Sequence, residues 1–146
     1  MRPLYMENKK DDTTPIDFTP LNFAILLVED SEINQILTKT RLEKWGCIID
    51  IANNGLEAID KVKNNLYNII LMDIEMPVMN GYEATRIIKN DISPKASKTP
   101  ILGMSGHNSK TETSKMINVG MEAFIIKPFN MEELYKTLIK YAIKQL

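Results

Sequence analysis

Five short apolar runs alternate with segments of helical periodicity from Phe23 to the end of the chain. The runs cover roughly residues 23–28, 47–52, 68–73, 100–105 and 122–127. Apolar runs of this length, bounded by turn-forming residues, are typical of buried strands. Strands that alternate with helices pair in parallel through right-handed crossovers, and strands that are hydrophobic throughout need cover on both faces. The pattern therefore predicts an α/β fold, a doubly wound five-stranded parallel sheet with helices on both faces.

The segments between the strands carry start signals for five helices. The first begins at Ser31, the fourth runs from about Ser109 to Val119, and Gly120 is a left-handed stop. A capping-box spacing, an asparagine followed three residues later by glutamate, opens the other three at Asn54, Asn80 and Asn130. The apolar positions that share a helix face are, in chain order, Ile33, Ile36 and Leu37; Leu56, Ile59 and Val62; Ala84, Ile87 and Ile88; Met116 and Ile117; and Leu134, Leu138 and Tyr141 or Ala142.

The chain divides into a polar start and one domain. Residues 1–22 are polar and contain three prolines, which predicts a flexible N-terminal tail or linker before a domain over 23–146. A length of 146 residues with 44% hydrophobic content suits one core. Segment 90–99 is predicted to be a surface loop.

Charge and cysteine usage narrow the function classes. The net charge is −1 and basic residues form no cluster, so we expect no nucleic-acid binding by this domain. Cys47 stands alone, which excludes an internal disulfide, and its apolar neighbours predict burial. No run approaches ~20 apolar residues, and charged residues occupy the start, so neither a membrane span nor a signal peptide is indicated. We expect a cytoplasmic location.

Acidic residues follow two of the predicted strands. Glu29 and Asp30 end the first, and Asp73 ends the third. The carboxyl ends of parallel strands lie at one edge of a sheet, where ligands bind, so these acids converge if the first and third strands are neighbours. Clustered carboxylates repel one another unless a cation neutralises them, and Mg²⁺ prefers carboxylates with water and phosphate oxygens. The backbone carbonyl of Glu75 could complete such a shell.

Two further strands bring donors to the same edge. Lys127 ends the fifth strand, and its ammonium suits a phosphate or the Asp73 carboxylate. Pro128 restricts Lys127 to extended geometry, with the peptide isomer left open. Ser105 ends the fourth strand and can donate to a phosphate oxygen. His107 is not placed to activate that hydroxyl, which argues against a serine hydrolase.

Taken together, these residues resemble the receiver domain of two-component response regulators. The motifs that carry the resemblance are Glu29-Asp30, Met72-Asp73-Ile74-Glu75-Met76-Pro77 with Gly81, Ser105, and Lys127-Pro128. The resemblance implies a flavodoxin-like strand order of 2-1-3-4-5. Residues 28–35 and 77–86 are most similar to receivers fused to hybrid sensor histidine kinases.

The resemblance also implies roles for single residues. Asp73 is the expected phosphoacceptor, and Lys127 and the Ser105 hydroxyl assist it. The expected ligands of Mg²⁺, with Mn²⁺ as the alternative ion, are Glu29, Asp30, Asp73 and the Glu75 backbone carbonyl. Phe124 stands at the aromatic switch position.

The implied function is signalling rather than turnover of a substrate. A histidine kinase or histidine phosphotransfer protein would donate its phosphoryl group to Asp73, and the domain would assist its own phosphorylation and dephosphorylation. The face formed by the fourth helix, fifth strand and fifth helix would then change shape for a downstream protein that the sequence does not identify. Glu75 and His107 are expected to flank the site and to tune the phosphoryl lifetime. We expect no direct contact with a membrane.

Three other functions share parts of this pattern. A phosphohydrolase of the haloacid-dehalogenase kind has a second acid two residues after its nucleophile, as in Asp73-Ile74-Glu75. The upstream acid pair and the short chain argue against it. A flavodoxin shares the fold, but Glu29-Asp30 would repel the phosphate of FMN. A receiver that is never phosphorylated is the third, and its ligand positions would not be expected to be filled.

Overall fold

The computed structural model describes residues 18–106 and 110–143, and its centre is one parallel sheet. The five strands lie in the order β2-β1-β3-β4-β5, which confirms the predicted fold class and strand order. All four pairings are parallel, and Val28 lies opposite both Ala52 and Met72. The strands are β1 Ala24–Val28, β2 Ile48–Ala52, β3 Ile69–Asp73, β4 Ile101–Ser105 and β5 Ala123–Ile126.

Helices connect the strands and begin where the capping residues predict. The side chains of Ser31, Asn54, Asn80 and Asn130 each accept a hydrogen bond from a backbone N–H three residues later. The fourth and fifth predicted helices are α5 and α6. The helices are α1 Glu32–Glu43, α2 Gly55–Asn64, α3 Gly81–Ile87, α4 Pro94–Ser97, α5 Lys110–Asn118 and α6 Met131–Tyr141.

The prediction of a surface loop over 90–99 is wrong. A π-helical turn, Ile88–Ile92, continues α3, and the Ser93 side chain caps α4 with Pro94 in its first turn. Serine followed by proline is also a helix start, and the short length of α4 hid that signal. Lys89 holds the segment, because its Nζ donates to the Thr99 carbonyl at 2.9 Å.

The sheet is covered on both faces, and each face has its own hydrophobic cluster. Helices α2, α3 and α5 cover one face, where Met72 and Ile88 are fully buried. Helices α1 and α6 cover the other, where Leu71 and Leu138 are fully buried. β3 lies between β1 and β4 and is buried at every position. The last residue of β3, Asp73, is therefore fixed in position by the packing of the neighbouring strands.

Three helices differ from the predicted apolar faces. In α1, Ile33, Ile36 and Leu37 share a face, but that face is exposed, and the helix packs through Gln35, Thr38 and Leu42. In α2 and α5, Leu56 and Ile117 are exposed beside buried neighbours. Apolar spacing alone does not tell which side of a helix meets the sheet, because a narrow contact needs only a few buried side chains.

The domain's contacts begin before Phe23. Phe18 packs edge-on against Tyr135, with 4.7 Å between the ring centroids, and also contacts Trp45. The Tyr135 hydroxyl donates to the Thr19 carbonyl at 2.5 Å. Residues 18–22 thus pack on the domain rather than forming the end of a free tail, and 1–17 lie outside the described residues.

Three smaller predictions concern the cysteine, the end of α5 and membrane-spanning helices. Cys47 is buried, as its apolar neighbours predict. Gly120 has a φ of +101°, the left-handed stop after α5. Within 18–106 and 110–143, no helix has the length and apolar character to cross a bilayer.

Candidate functional site

Three acidic side chains meet at the carboxyl edge of the sheet. Glu29 and Asp30 follow β1, and Asp73 ends the neighbouring β3. One carboxylate oxygen from each lies within 4.8 Å of the others. Glu29 and Asp73 are buried, whereas Asp30 is exposed. The structure therefore brings the predicted acids together, two of them buried and one at the surface.

The loop after Asp73 is shaped by tight turns. The Met79 N–H donates to the Pro77 carbonyl at 2.8 Å, which closes a γ-turn with Val78 at a φ of +72°. The loop then returns to the end of β3, where a Cβ on Gly81 would lie 2.3 Å from the Asp73 carbonyl oxygen. Only glycine fits there, which explains why the sequence has glycine at position 81.

Lys127 bridges two of the acids. Its Nζ donates to Glu29 Oε1 at 3.1 Å and to Asp73 Oδ2 at 3.4 Å. Its backbone N–H donates to the Ser105 carbonyl at 2.8 Å, and the peptide between Lys127 and Pro128 is cis. Burial alone would lower the pKa of Lys127, but the two carboxylates outweigh it and hold that pKa above its usual range.

Asp73 carries the strongest electrostatic perturbation of the site. Burial raises the pKa of Asp73 to about 6, and the neighbouring Glu29 carboxylate adds to the rise. The Glu75 N–H, 3.1 Å from Asp73 Oδ1, and the Lys127 charge act in the opposite direction without cancelling it. The pocket therefore holds more negative charge than its own groups neutralise.

The three acids fit a divalent cation of the oxygen-binding kind. Carboxylate oxygens are the ligands that Mg²⁺ takes in proteins, and the remaining positions are normally filled by water or phosphate. A cation at Glu29, Asp30 and Asp73 would stabilise the ionised Asp73 carboxylate, whose pKa is raised mainly by burial and further by Glu29.

Ser105 and Phe124 lie on the strands beyond Asp73. Ser105 is the last residue of β4, the neighbour of β3, and its side chain is buried. Phe124 is half-buried on β5 opposite Gly103 and packs against the cluster of α2, α3 and α5. Glu75 is exposed just after Asp73, and His107 lies outside the described residues.

Two features near the site were not found by sequence reasoning. The first is Gln35, a buried amide in α1 whose spacing to Thr38 and Leu42 is helical and could have marked the inner face. The second is a hollow of about 350 Å³ beside Glu29 and Lys127. The hollow is walled by α1 and by Pro128-Phe129, which are distant in sequence, so nothing in the sequence marks it.

Comparison with known proteins agrees with the fold. The family model for the response regulator receiver domain matches residues 25–139. The chain is 37% identical to hybrid signal transduction histidine kinase I of Dictyostelium discoideum, covering 78% of this chain and 7% of that protein. It is 34% identical to transcription factor SKN7 of Saccharomyces cerevisiae, covering 82% of this chain and 18% of that protein. The chain thus spans less than a fifth of each relative.

A solved structure supports the same relationship. The receiver domain of sensor histidine kinase PA1611 from Pseudomonas aeruginosa, which has a magnesium ion in its active-site cleft, superposes with a TM-score of 0.76. The two are 29% identical, over 83% of this chain and 98% of that one. The chain belongs to the response regulator receiver domain family of two-component signalling, and it is similar to the receivers of hybrid histidine kinases.

Proposed function

We propose that this domain accepts a phosphoryl group on Asp73 from a phosphohistidine of a partner protein. The observation that carries the proposal is the juxtaposition of Glu29, Asp30 and Asp73 within 4.8 Å, with Lys127 bonded to the buried pair. A lysine needs only one carboxylate to form a structural ion pair, so three acids at one edge are more than such a pair requires. Phosphoryl transfer needs a nucleophile with positive charge around it, which a lysine and a metal held by the other acids would supply.

The ligands that we assign to Mg²⁺ are the carboxylates of Glu29, Asp30 and Asp73 and the backbone carbonyl of Glu75. Mn²⁺ prefers the same oxygen ligands. When bound, the metal supplies positive charge for the oxygens of the phosphoryl group.

In the transfer, a carboxylate oxygen of Asp73 attacks phosphorus as the bond from phosphorus to the histidine nitrogen breaks. The products are an acyl phosphate and a free imidazole on the donor. The Lys127 ammonium, 3.4 Å from Asp73 Oδ2, is close enough to donate to a phosphoryl oxygen, and the Ser105 hydroxyl donates to another. The domain thereby assists its own phosphorylation and dephosphorylation, and it does not turn over a separate substrate.

The phosphorylated aspartate then biases a switch. The added phosphoryl group brings about two negative charges to the end of β3. Drawing Ser105 toward those charges leaves space behind β4, and the half-buried Phe124 turns into it. The face formed by α5, β5 and α6 changes shape for a downstream protein.

Two residues are proposed to tune how long the phosphoryl group remains. Glu75 is exposed beside Asp73, where its carboxylate repels anionic donors or orients the attacking water. His107 follows β4 by two residues. Dephosphorylation rates of Glu75→Asn and His107→Ala are expected to differ from that of the parent, and unchanged rates would remove this role.

The donor is proposed to be a protein, a histidine kinase or a histidine phosphotransfer protein. Next to the acids, α1 exposes Ile33, Ile36 and Leu37 at 70%, 60% and 52%. Three large apolar side chains on one turn of a surface helix favour contact with a protein over contact with a small anion. The cytoplasmic location, and the absence of nucleic-acid and membrane contact, stay predictions.

Incubation with acetyl phosphate and Mg²⁺ tests the proposal, with intact mass as the readout. The parent is expected to gain the mass of one phosphoryl group, and Asp73→Asn none. Asp50→Asn is the matched control, because Asp50 lies on β2 with different partners, and it should gain the same mass as the parent. An unmodified parent, or equal gain in Asp73→Asn, contradicts the proposal.

A further inference from the structure

A buried amide in α1 lies behind the acid pair. Gln35 is 8% exposed, and it is a polar residue on the buried face of its helix. Its Nε2 donates to the backbone carbonyl of Glu29 at 2.6 Å and to Asn53 Oδ1 at 2.7 Å. A buried polar side chain is stable only when bonded, so these two bonds fix where the amide lies.

The Glu29 carbonyl belongs to the peptide that joins the two acids. β1 ends at Val28, and beyond it the Glu29 N–H still donates to the Ala52 carbonyl at 3.0 Å. Gln35 supplies a donor for the carbonyl where strand pairing has ended. Because a peptide unit is planar, holding the Glu29 carbonyl also orients the Cα of Asp30.

The same amide connects the acid pair to the start of α2. Asn53 donates through Nδ2 to Glu57 Oε1 at 2.9 Å, and its backbone N–H donates to the same oxygen at 2.9 Å. A carboxylate and a carbonyl only accept, so both amides have one orientation that satisfies every bond. The bonds run in a consistent order from Glu29 through Gln35 and Asn53 to Glu57.

We propose that Gln35 is a positioning residue for the Mg²⁺ site, orienting the peptide between Glu29 and Asp30 so that both carboxylates face the cation. The inference rests on the proposed function, because it assumes that Mg²⁺ binds at these acids. Gln35 itself touches neither metal nor phosphoryl group. Groups that orient the ligands of a metal typically change its affinity 10–100-fold when removed.

Gln35→Met keeps the length of the side chain and removes both donated bonds. We expect its Mg²⁺ dissociation constant, measured by amide chemical shifts during Mg²⁺ titration, to rise about 10-fold. The Mg²⁺ concentration for half-maximal phosphorylation by acetyl phosphate should rise equally, with the rate at saturating Mg²⁺ close to that of the parent. Thr38→Val is the matched control, a buried polar residue one turn along α1, and it should leave the Mg²⁺ affinity unchanged.

Asn53→Ala is the second variant, at an exposed position, and it keeps the test decisive if Gln35→Met does not fold. It removes the acceptor that orients Gln35, and we expect about a 3-fold loss of Mg²⁺ affinity, smaller than the roughly 10-fold effect of removing an orienting group itself, because Gln35 keeps its bond to the Glu29 carbonyl. Lower thermal stability with Mg²⁺ affinity within twofold of the parent in both variants would make Gln35 merely structural and overturn the inference. A parent that binds no Mg²⁺ would overturn the proposed metal site first, and this inference with it.

Discussion

Asp50 and Asp73 are two aspartates of one sheet, each paired with a lysine, and their pKa values move in opposite directions. Asp50 lies on β2, half-buried, and accepts hydrogen bonds from Lys61 Nζ at 2.8 Å and from the Tyr67 hydroxyl at 2.6 Å. Burial alone would raise the pKa of Asp50, but these bonds and the lysine charge outweigh burial and hold it below its usual range. Asp73 has a pKa raised to about 6.

The difference lies first in burial and then in the neighbouring carboxylate, rather than in the lysines. Asp73 is buried deeper than Asp50, and the Glu29 carboxylate shares its lysine at 3.1 Å. Burial disfavours the charge on Asp73, and one ammonium is shared between two buried carboxylates, so ionised Asp73 is less stable than ionised Asp50. A fully satisfied pair stabilises the fold, whereas an under-neutralised one leaves free energy that a cation or a phosphoryl group can recover.

The largest effect expected from this comparison is that of removing each lysine. In metal-free protein at neutral pH, Lys127→Met should lower the free energy of unfolding by about 2 kcal/mol, because two buried carboxylates lose their counter-charge. Lys61→Met should lower it by less than about 1 kcal/mol, because solvent screens the half-exposed Asp50 pair. Urea unfolding measures both. Equal losses would mean that the two lysines are equivalent and would break the comparison.

The next effect is that of neutralising each aspartate. Asp73→Asn should raise the stability of the metal-free protein by about 1 kcal/mol, since it removes a buried charge that is poorly compensated. Asp50→Asn should lower it by up to about 1 kcal/mol, as its two donors lose a charged acceptor.

Mg²⁺ sharpens this second prediction. A ligand that binds only the folded state adds stability in proportion to the logarithm of its concentration over its dissociation constant. Millimolar Mg²⁺ should therefore stabilise the parent more than Asp73→Asn and narrow the gap between them, and it should leave the effect of Asp50→Asn unchanged. A gap that Mg²⁺ does not alter would separate Asp73 from the metal site.

The two aspartates should also give opposite pH dependence in metal-free protein. Because the pKa of Asp73 is raised in the folded state, its stabilising contribution to the free energy of unfolding is fully present below about pH 4. That contribution is lost as pH rises through about 6. Because the pKa of Asp50 is lowered in the folded state, its stabilising contribution to the free energy of unfolding is present above about pH 4. That contribution is lost as pH falls through the pKa of Asp50 in the folded protein. The free energy of unfolding is measured against pH for the parent and for each asparagine variant. Subtracting the curve of a variant from that of the parent isolates the pH slope that its aspartate contributes. Slopes of the same sign would contradict the assignment.

Much of the fold follows from local signals in the sequence. The five strands and the helix starts at Ser31, Asn54, Asn80 and Asn130 are set by short-range physics, apolar runs and side-chain caps, and the structure confirms them. The inner face of α1 was not predictable in the same way. Its exposed side is the more apolar one, and which side faces the sheet depends on packing between distant segments.

The functional site also has features that the local sequence predicts and features that depend on packing between distant segments. The convergence of Glu29, Asp30 and Asp73 was predictable, because parallel strands end at one edge and each acid directly follows a strand. The bond from Gln35 to the Glu29 carbonyl was not predictable, because it depends on the rotation of α1 about its own axis. The roles of Ser105 and Phe124 stay predictions, and the dephosphorylation rates of the Glu75 and His107 variants test the roles of those two residues.

The smallest expected effect is that of Tyr67→Phe. Burial raises the pKa of Tyr67 well above its usual range, so the hydroxyl stays a donor to Asp50 at working pH. Removing the hydroxyl should lower the free energy of unfolding by about half a kcal/mol, since Lys61 still satisfies Asp50. Phosphoryl uptake from acetyl phosphate should stay at the parent rate, because the partners of Asp50 and Asp73 are different. A change of more than about twofold in that rate would show that the two aspartates are energetically coupled, and the contrast between a structural pair and a functional one would then fail.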